Sequence, residues 1–364
     1  MIPKDFRSIP DFGLAWLDAS GPDCDIALST RVRIARNLQG YPFSVRAKPA
    51  DREAILATVQ EVLDRTPPVT DGVFVNIDSL DARGRQLLLE RHLVSRELVG
   101  RAGSDAPSSS ALVASMHEPV GLMINEEDHL RLQSLTSGFS PRETWGLVDS
   151  LDEELGSQLP YAFHHEFGHL TSCPTNCGTG LRASVLIHLP GLVLTQEINK
   201  VLQGISQVGL TFRGLYGEGS EVVGNLFQIS NQTTLGKSEE DLIDHLQKIV
   251  GQVIEYERQA RAVLVRDAPT VIEDKVWRAF GLLRHARSLG FDELMNLLSG
   301  VRLGLSLKLL AGPRVYVLNR IMIFAQNAHL EEASAGSLSG SELDIQRAIY
   351  VRSALAEAEP SPGA

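Results

Sequence analysis

The run Cys173-Pro174-Thr175-Asn176-Cys177-Gly178-Thr179-Gly180-Leu181-Arg182-Ala183-Ser184 joins a thiol, a glycine-rich turn and a guanidinium within a short stretch of a 364-residue chain. Upstream lies Asn125-Glu126-Glu127-Asp128, and downstream Arg213-Gly214-Leu215-Tyr216-Gly217-Glu218. Together they supply carboxylates, a thiol and several guanidinium groups, and no Walker loop is present. Such a set suits transfer of a phosphoryl group from ATP to a guanidinium nitrogen.

A guanidinium is a poor nucleophile because its pKa exceeds about 12, so the transfer needs a base and a geometry that presents one nitrogen in line with the γ-phosphate. Carboxylates accept paired N–H groups in a fork, orient the plane and take the proton. Glu127 and Glu218 are the candidates, with Glu221 an alternative to Glu218. A thiolate at Cys173 adds a third anionic contact, since a free thiol pKa of roughly 8.5 falls beside cationic groups, and it need not act covalently. The triphosphate carries about four negative charges that backbone amides and one lysine hold in P-loop enzymes. Here arginines take that task. In Ser29-Thr30-Arg31-Val32-Arg33-Ile34-Ala35-Arg36, an extended backbone projects Arg31 and Arg33 from one side. Arg131, Arg182 and Arg213 each follow another motif closely, and Mg²⁺ would bridge the β- and γ-phosphates.

The elements that must position these groups are legible in outline. Residues 51–65 read as an amphipathic helix with Ile55, Val59, Val62 and Leu63 on one face. Residues 73–77, 111–116, 120–124 and 129–135 read as strands, so the acidic motif falls in a turn between two of them. Residues 142–159 and 192–208 read as helices, and 210–213 and 225–230 as strands bracketing a glycine-rich loop at 214–224. From Ser238 the pattern turns to long helices, including 239–265 and 272–288, with a strand signal returning only at 315–324. The change predicts a boundary near residue 256, giving a catalytic domain over 1–255 and a helical domain over 256–364 whose last residues fray.

Composition bounds the partners. The 43% apolar and 22% charged content is that of a soluble globular protein, and a net charge of −11 argues against a nucleic-acid partner. No stretch reads as a signal peptide or as about 18 apolar residues able to span a bilayer, so the expectation is a cytoplasmic protein without membrane contact. Cys24, Cys173 and Cys177 are an odd number in a large chain, which argues against a disulfide framework, and the Cys173/Cys177 pair with no second pair is a poor zinc site. No resident metal is expected.

Taken together, Cys-Pro-Thr-Asn-x-Gly-Thr at Cys173 and Asn-Glu-Glu-Asp-His-Leu-Arg at Asn125 to Arg131 resemble the phosphagen kinase superfamily of ATP:guanido phosphotransferases, and within it the bacterial McsB-type protein arginine kinases. The resemblance covers nearly the whole chain. It implies an α+β fold, a large antiparallel sheet flanked by helices, with a helical C-terminal domain for dimerisation and phosphoarginine binding. It implies nucleotide contacts from Ser29, Thr30, Arg31, Val32 and Arg33, from His92 and Arg131, from Arg182, Ala183, Ser184, Val185 and Leu186, and from Arg213, Gly214, Leu215, Tyr216, Gly217 and Glu218. By the same resemblance Glu127 and Glu218 bind and deprotonate the guanidinium beside Cys173, and the loop at 217–224 closes over the reactants. The cofactors implied are ATP and Mg²⁺, and the partners are proteins with exposed arginine, a zinc-binding activator and a Clp-type ATPase, the kinase being a homodimer.

Two features favour arginine on a protein over a free guanidino compound, which is the alternative substrate. The motifs begin almost at once, at Ser29, so the helical N-terminal domain of small-guanidine kinases is expected to be missing, and a helical C-terminal extension follows. One departure stands out. Where the family's phosphoarginine motif reads Arg-Asp-x-x-Arg-Ala, this chain has Leu343-Asp344-Ile345-Gln346-Arg347-Ala348. Asp344 and Arg347 keep a carboxylate and a guanidinium, but one contact is lost and weakened sensing is expected. His165-Glu166-Phe167-Gly168-His169 matches a zinc-protease pattern, yet Gly168 inside the required helix and Cys173-Pro174 just after it make a poor context.

Overall fold

The computed structural model describes residues 5–65, 72–100, 108–214 and 222–358. Among them run ten strands: β1 Ala27–Arg36, β2 Val73–Asn76, β3 Ala111–Ala114, β4 Val120–Ile124, β5 Leu130–Ser137, β6 Phe163–His164, β7 Gly168–His169, β8 Leu181–His188, β9 Leu210–Arg213 and β10 Leu226–Asn231. The helices of the first part are α1 Pro49–Arg65, α2 Ala82–Glu90, α3 Arg96–Val99, α4 Pro141–Gly156, α5 Pro190–Leu194 and α6 Ile198–Gln207. Those of the second are α7 Glu239–Asp267, α8 Pro269–His285, α9 Phe291–Ser306, α10 Val315–Phe324, α11 Asn327–Ala333 and α12 Gly340–Glu357. Local chemistry sets several starts. Pro141 and Pro269 occupy first-turn positions of α4 and α8, and capping boxes Ser238/Asp241 and Ser339/Glu342 open α7 and α12.

Eight strands form one sheet in the order β2-β3-β4-β5-β1-β8-β10-β9, every neighbouring pair antiparallel. Strand β1 therefore lies at the centre between β5 and β8. One face of the sheet presents Val32, Ile34, Leu132, Leu181, Ala183, Val185 and Ile229 to α4, α6 and α7, forming the largest apolar core. Among the described residues the other face is covered towards its two ends, and the turn Ala15–Leu17 packs on β1 and β5. At one end α2 and Leu98 of α3 bury Leu112 and Met123, and at the other the C-terminal helices bury Leu28, Leu186 and Leu226. Between these two wings the middle of the sheet is left as a cleft.

The expected large antiparallel sheet flanked by helices, with a helical C-terminal part, is what the chain forms. Three local expectations differ from the structure. Residues 315–324, whose branched apolar run reads as a strand, form α10, because Leu318, Ile321 and Met322 recur at helical spacing and bury among the C-terminal helices. The single helix expected over 192–208 is broken into α5 and α6 at Gln196, whose φ of 63° ends the first helix. Helix α7 runs unbroken across residue 256, where the change of sequence pattern placed a boundary. Residues 163–169 form the hairpin β6–β7 and no helix, so His165 and His169 do not share the helical face that a zinc site of that pattern requires.

Candidate active site

Strand register decides which side chains meet. Arg33 lies opposite Arg182 on β8 and Gln133 on β5, Arg31 lies opposite Ser184 and Leu135, and Ala35 lies opposite Arg131. On β10, Gln228 pairs with both Leu186 and Arg213. Because side chains alternate faces and directly paired residues share one, Ser29, Arg31, Arg33, Arg131, Arg182 and Arg213 all emerge on the cleft face. Thr30, Val32, Ala183 and Val185 point the opposite way and are buried in the core, so those four residues can meet the cleft through their backbone alone.

Arg31 and Arg33 are short of negative charge. Burial, then Arg182 and Arg131, lowers the pKa of Arg31 to about 10. Burial followed by Arg31, Arg131 and Arg182 pushes Arg33 down further, against a smaller opposing effect of Glu126. The buried Nε of Arg31 has no acceptor among the described residues. Clustered, half-buried cations of this kind are relieved by a polyanion, and their planar forks suit phosphate oxygens. His92, just past α2, stands beside them with φ of 61°, its imidazole depressed to about 3 by burial and by Arg31.

At the β4–β5 turn the acidic motif divides its labour. Asn125 takes φ of 58° and its amide donates to the His129 carbonyl, closing the turn. Glu126 is buried and accepts from Ser95 Oγ, from Arg131 at 2.5 Å and from the Glu127 amide at 2.7 Å. Glu127 is the outward carboxylate, its side chain 38% exposed and touched by Arg131 at 3.1 Å. Burial raises its pKa, Arg131 opposes, and Glu126, Asp128 and Glu97 add to the rise. Burial likewise lowers Arg131, but Glu126, Asp128 and Glu127 outweigh it and hold that guanidinium above its usual value.

Asp128 fastens this turn to the thiol loop. One oxygen accepts from Asn37 Nδ2 and from the Ser172 amide, each at 2.7 Å, and Asn37 also bonds the Leu170 carbonyl and the His129 amide. Cys173 follows, half-buried, its Sγ 3.0 Å from Thr175 Oγ1. Thr171 Oγ1 donates to the Cys173 carbonyl and lies 3.3 Å from Cys177 Sγ, so the second cysteine packs within the loop. Gly178 allows the return into β8. Its φ is 103°, and a Cβ there would lie 2.4 Å from the Thr234 carbonyl oxygen. Thr234 Oγ1 in turn donates to the carbonyls of Thr175 and Cys177.

Of the residues named from the sequence, the fold brings the arginines to one face of the sheet with His92 and Glu127 beside them, and Asp128 ties the loop of Cys173 to the Glu127 turn. Leu215, Tyr216, Gly217, Glu218 and Glu221 lie outside the described residues; Gly214 is described and extends the β9 side. Asp344 and Arg347 stand apart, on α12. Arg347 is 2% exposed and its nitrogens donate to the carbonyls of Ala325 and Leu289, to Asp344 and to Asn327. Asn37 and Thr234 were missed by sequence reasoning; a lone Asn after a strand and a Thr in a polar loop carry no signal of their own. Among the described residues no group of three or more His, Cys, Asp or Glu is placed to hold a metal ion, and no helix is long and apolar enough to cross a membrane.

Comparison with known proteins gives a consistent answer. Residues 54–260 match the family model of the ATP:guanido phosphotransferase C-terminal catalytic domain, and residues 269–363 match that of the protein-arginine kinase McsB C-terminal domain. A protein-arginine kinase of Desulforamulus reducens is 42% identical over 93% of this chain and 95% of its own length. One from Bacillus subtilis is 41% identical over 95% and 94% respectively. Among solved structures, a lombricine kinase superposes with a TM-score of 0.58 at 24% identity, covering 68% of this chain and 71% of that one. The duplicated taurocyamine kinase of Schistosoma mansoni gives 0.59 at 24%, covering 71% of this chain and 36% of that one; both show likeness of fold.

Proposed function

The chain belongs to the ATP:guanido phosphotransferase family, and from that premise we propose that it is an ATP-dependent protein arginine kinase. The observation that carries the reading is the shared cleft face, where unbalanced arginines lead to an outward carboxylate and a thiol tied together by Asp128. Relatives named protein-arginine kinases, matched over nearly their whole length, and the McsB-type C-terminal region support a protein substrate over a free guanidino compound. The half-exposed Glu127 carboxylate suits a guanidinium carried on another chain.

In this mechanism Arg31, Arg33, Arg131, Arg182 and Arg213 hold the phosphates, and Ser29 and His92 border the nucleoside. Mg-ATP, as the substrate these arginines would hold, would supply the γ-phosphoryl group. Glu127 binds the guanidinium of the incoming arginine and orients one nitrogen towards the phosphorus. Its raised pKa makes it a stronger base than an ordinary carboxylate, so it takes the proton shed as the N–P bond forms and the bond to the bridging oxygen breaks. Glu126 keeps Arg131 in place while Glu127 exchanges its single contact with that residue for the substrate. Cys173 gives a further contact to the guanidinium, and Glu218 serves as the second carboxylate. A zinc-binding activator, a Clp-type ATPase that receives the product, and a second copy of the chain complete the proposed partners.

Incubation with Mg-ATP and either an unstructured arginine-containing protein or free arginine, read by mass spectrometry under conditions that preserve acid-labile N–P bonds, tests this. Phosphoarginine on the protein is the expected result. Phosphorylation of free arginine alone would make it a small-guanidine kinase, and transfer to neither would end the proposal.

A further inference from the structure

The hairpin β6–β7 stands outside the eight-stranded sheet, yet it is fastened to both halves of the guanidinium site. The Ala162 amide donates to the Asn37 carbonyl at 2.7 Å, and the Leu170 amide to the Ala162 carbonyl at 2.9 Å. His169 and Gly178 exchange amide-to-carbonyl bonds of 2.8 and 3.2 Å, so β7 closes the base of the loop that carries Cys173. Asn37 Nδ2 bonds the same Asp128 oxygen that accepts from the Ser172 amide, in the turn that carries Glu127. The hairpin therefore projects from the point where the thiol loop and the carboxylate turn meet. Of the chain's 12 phenylalanines, Phe163 and Phe167 alone are exposed, at 61% and 50%, and both belong to this hairpin. Phe163 meets the His169 ring with centroids 5.2 Å apart, and Phe167 stacks on His164 at 5.0 Å with planes at 24°. Those contacts orient the rings and still leave at least half of each residue in solvent. Apolar surface held out of every core, on a tip registered to a reactive site, is the mark of a surface that meets a partner.

The site it adjoins says what that partner is. An arginine that reaches Glu127 and Cys173 as part of a polypeptide brings its neighbours with it, and three residues of extended chain span about 10 Å. Resting on the kinase reading above, we propose that Phe163 and Phe167 form a docking surface for the polypeptide flanking the target arginine. The preferred partner is an extended segment with an apolar or aromatic side chain within about three residues of that arginine. A folded protein keeps such side chains in its core, so the hairpin favours arginines in unfolded chain. A free guanidino compound has nothing to place on it.

Steady-state kinetics of the full chain with MgATP and two peptides test the assignment. One peptide carries an arginine flanked by glycines, and the other has leucines in place of the glycines two and three positions from the arginine. The parent should favour the leucine peptide about tenfold in kcat/KM, the difference lying in KM. Phe163→Ser/Phe167→Ser should abolish that preference by raising KM for the leucine peptide about tenfold, with kcat and the kinetics on the glycine peptide unchanged. No preference in the parent, a preference that survives in the double variant, or an equal loss on both peptides would overturn the proposal. Since changes in the hairpin can disturb the thiol loop, a second measurement uses the parent protein. The leucine peptide with a benzophenone side chain in place of one leucine should crosslink on irradiation to residues 161–170, and unlabelled leucine peptide should compete; crosslinks confined to other segments overturn the assignment. If the parent phosphorylates neither peptide, the kinase reading fails and this inference falls with it, a result distinct from phosphorylation of both without preference.

Discussion

The chain holds two kinds of buried arginine, and the contrast between them separates function from architecture. Arg36 donates to Asp152, to its own strand's Ala35 carbonyl and to the Thr179 carbonyl, and Arg347 is saturated in the same way by carbonyls, a carboxylate and an amide. Arg31 and Arg33, a few residues from Arg36 on the same strand, face one another and other guanidiniums instead, and their charge is held at a cost. A guanidinium whose donors are satisfied by the fold stabilises it. One kept short of acceptors in a cleft is available to a ligand.

The largest effect that would sharpen this contrast lies at the carboxylate beside it. Glu127→Gln should cut turnover by about a thousandfold, within the range expected for loss of a general base, while MgADP affinity changes less than about twofold. Comparable kcat in the variant and the parent would remove Glu127 from the chemistry. Next come the two arginine classes themselves. Arg36→Ala breaks a buried ion pair with Asp152 at 2.6 Å and should lose about 3–5 kcal/mol in urea denaturation. Arg33→Ala should instead leave stability unchanged or slightly raised and weaken MgADP by about ten- to a hundredfold, as charge-assisted bonds are lost. Equal destabilisation by both would erase the distinction.

The smallest expected effect concerns His92. Its imidazole is depressed to about 3 in the fold by burial and Arg31, against about 6.5 in an unfolded chain. The unfolded state takes up a proton that the folded state refuses, so this contribution to stability is complete above about pH 6.5 and is lost as pH falls towards 3. His92→Asn, which tolerates the positive φ, should flatten that part of the melting-temperature profile, and an unaltered slope would show that His92 does not set it.

Much of the site is legible in the amino-acid sequence, because its signals are local. The alternation of an extended strand puts Arg31 and Arg33 on one side; a carboxylate cluster between two apolar runs predicts a turn; a cysteine before a proline and a glycine turn stands out from a buried thiol. Where the signals were short-range but ambiguous, the reading failed. Residues 315–324 carry a branched apolar run compatible with either element, and only burial among neighbouring helices made it α10. At residues 165–169, by contrast, the context already argued against the metal helix that the motif spacing offers, and the pairing of Phe163 with His169 makes a hairpin.

The amino-acid sequence by itself determined which groups are available: the arginines, the Glu126–Asp128 carboxylates, the thiol at Cys173 and the apolar periodicity that builds sheet and helices. Only the tertiary structure decided which of them meet. Register placed Arg33 against Arg182, and Arg131 opposite Ala35. Asp128 bonded the Ser172 amide, joining the carboxylate turn to the thiol loop, and Glu126 rather than Glu127 became the buried partner of Arg131. The turn Ala15–Leu17, far from every motif, was brought against β1 and β5, with Trp16 beside Ser29, Arg31 and His92. Such pairings are set by hydrogen-bond ladders and by burial between residues distant in the chain, and spacing along the chain encodes neither.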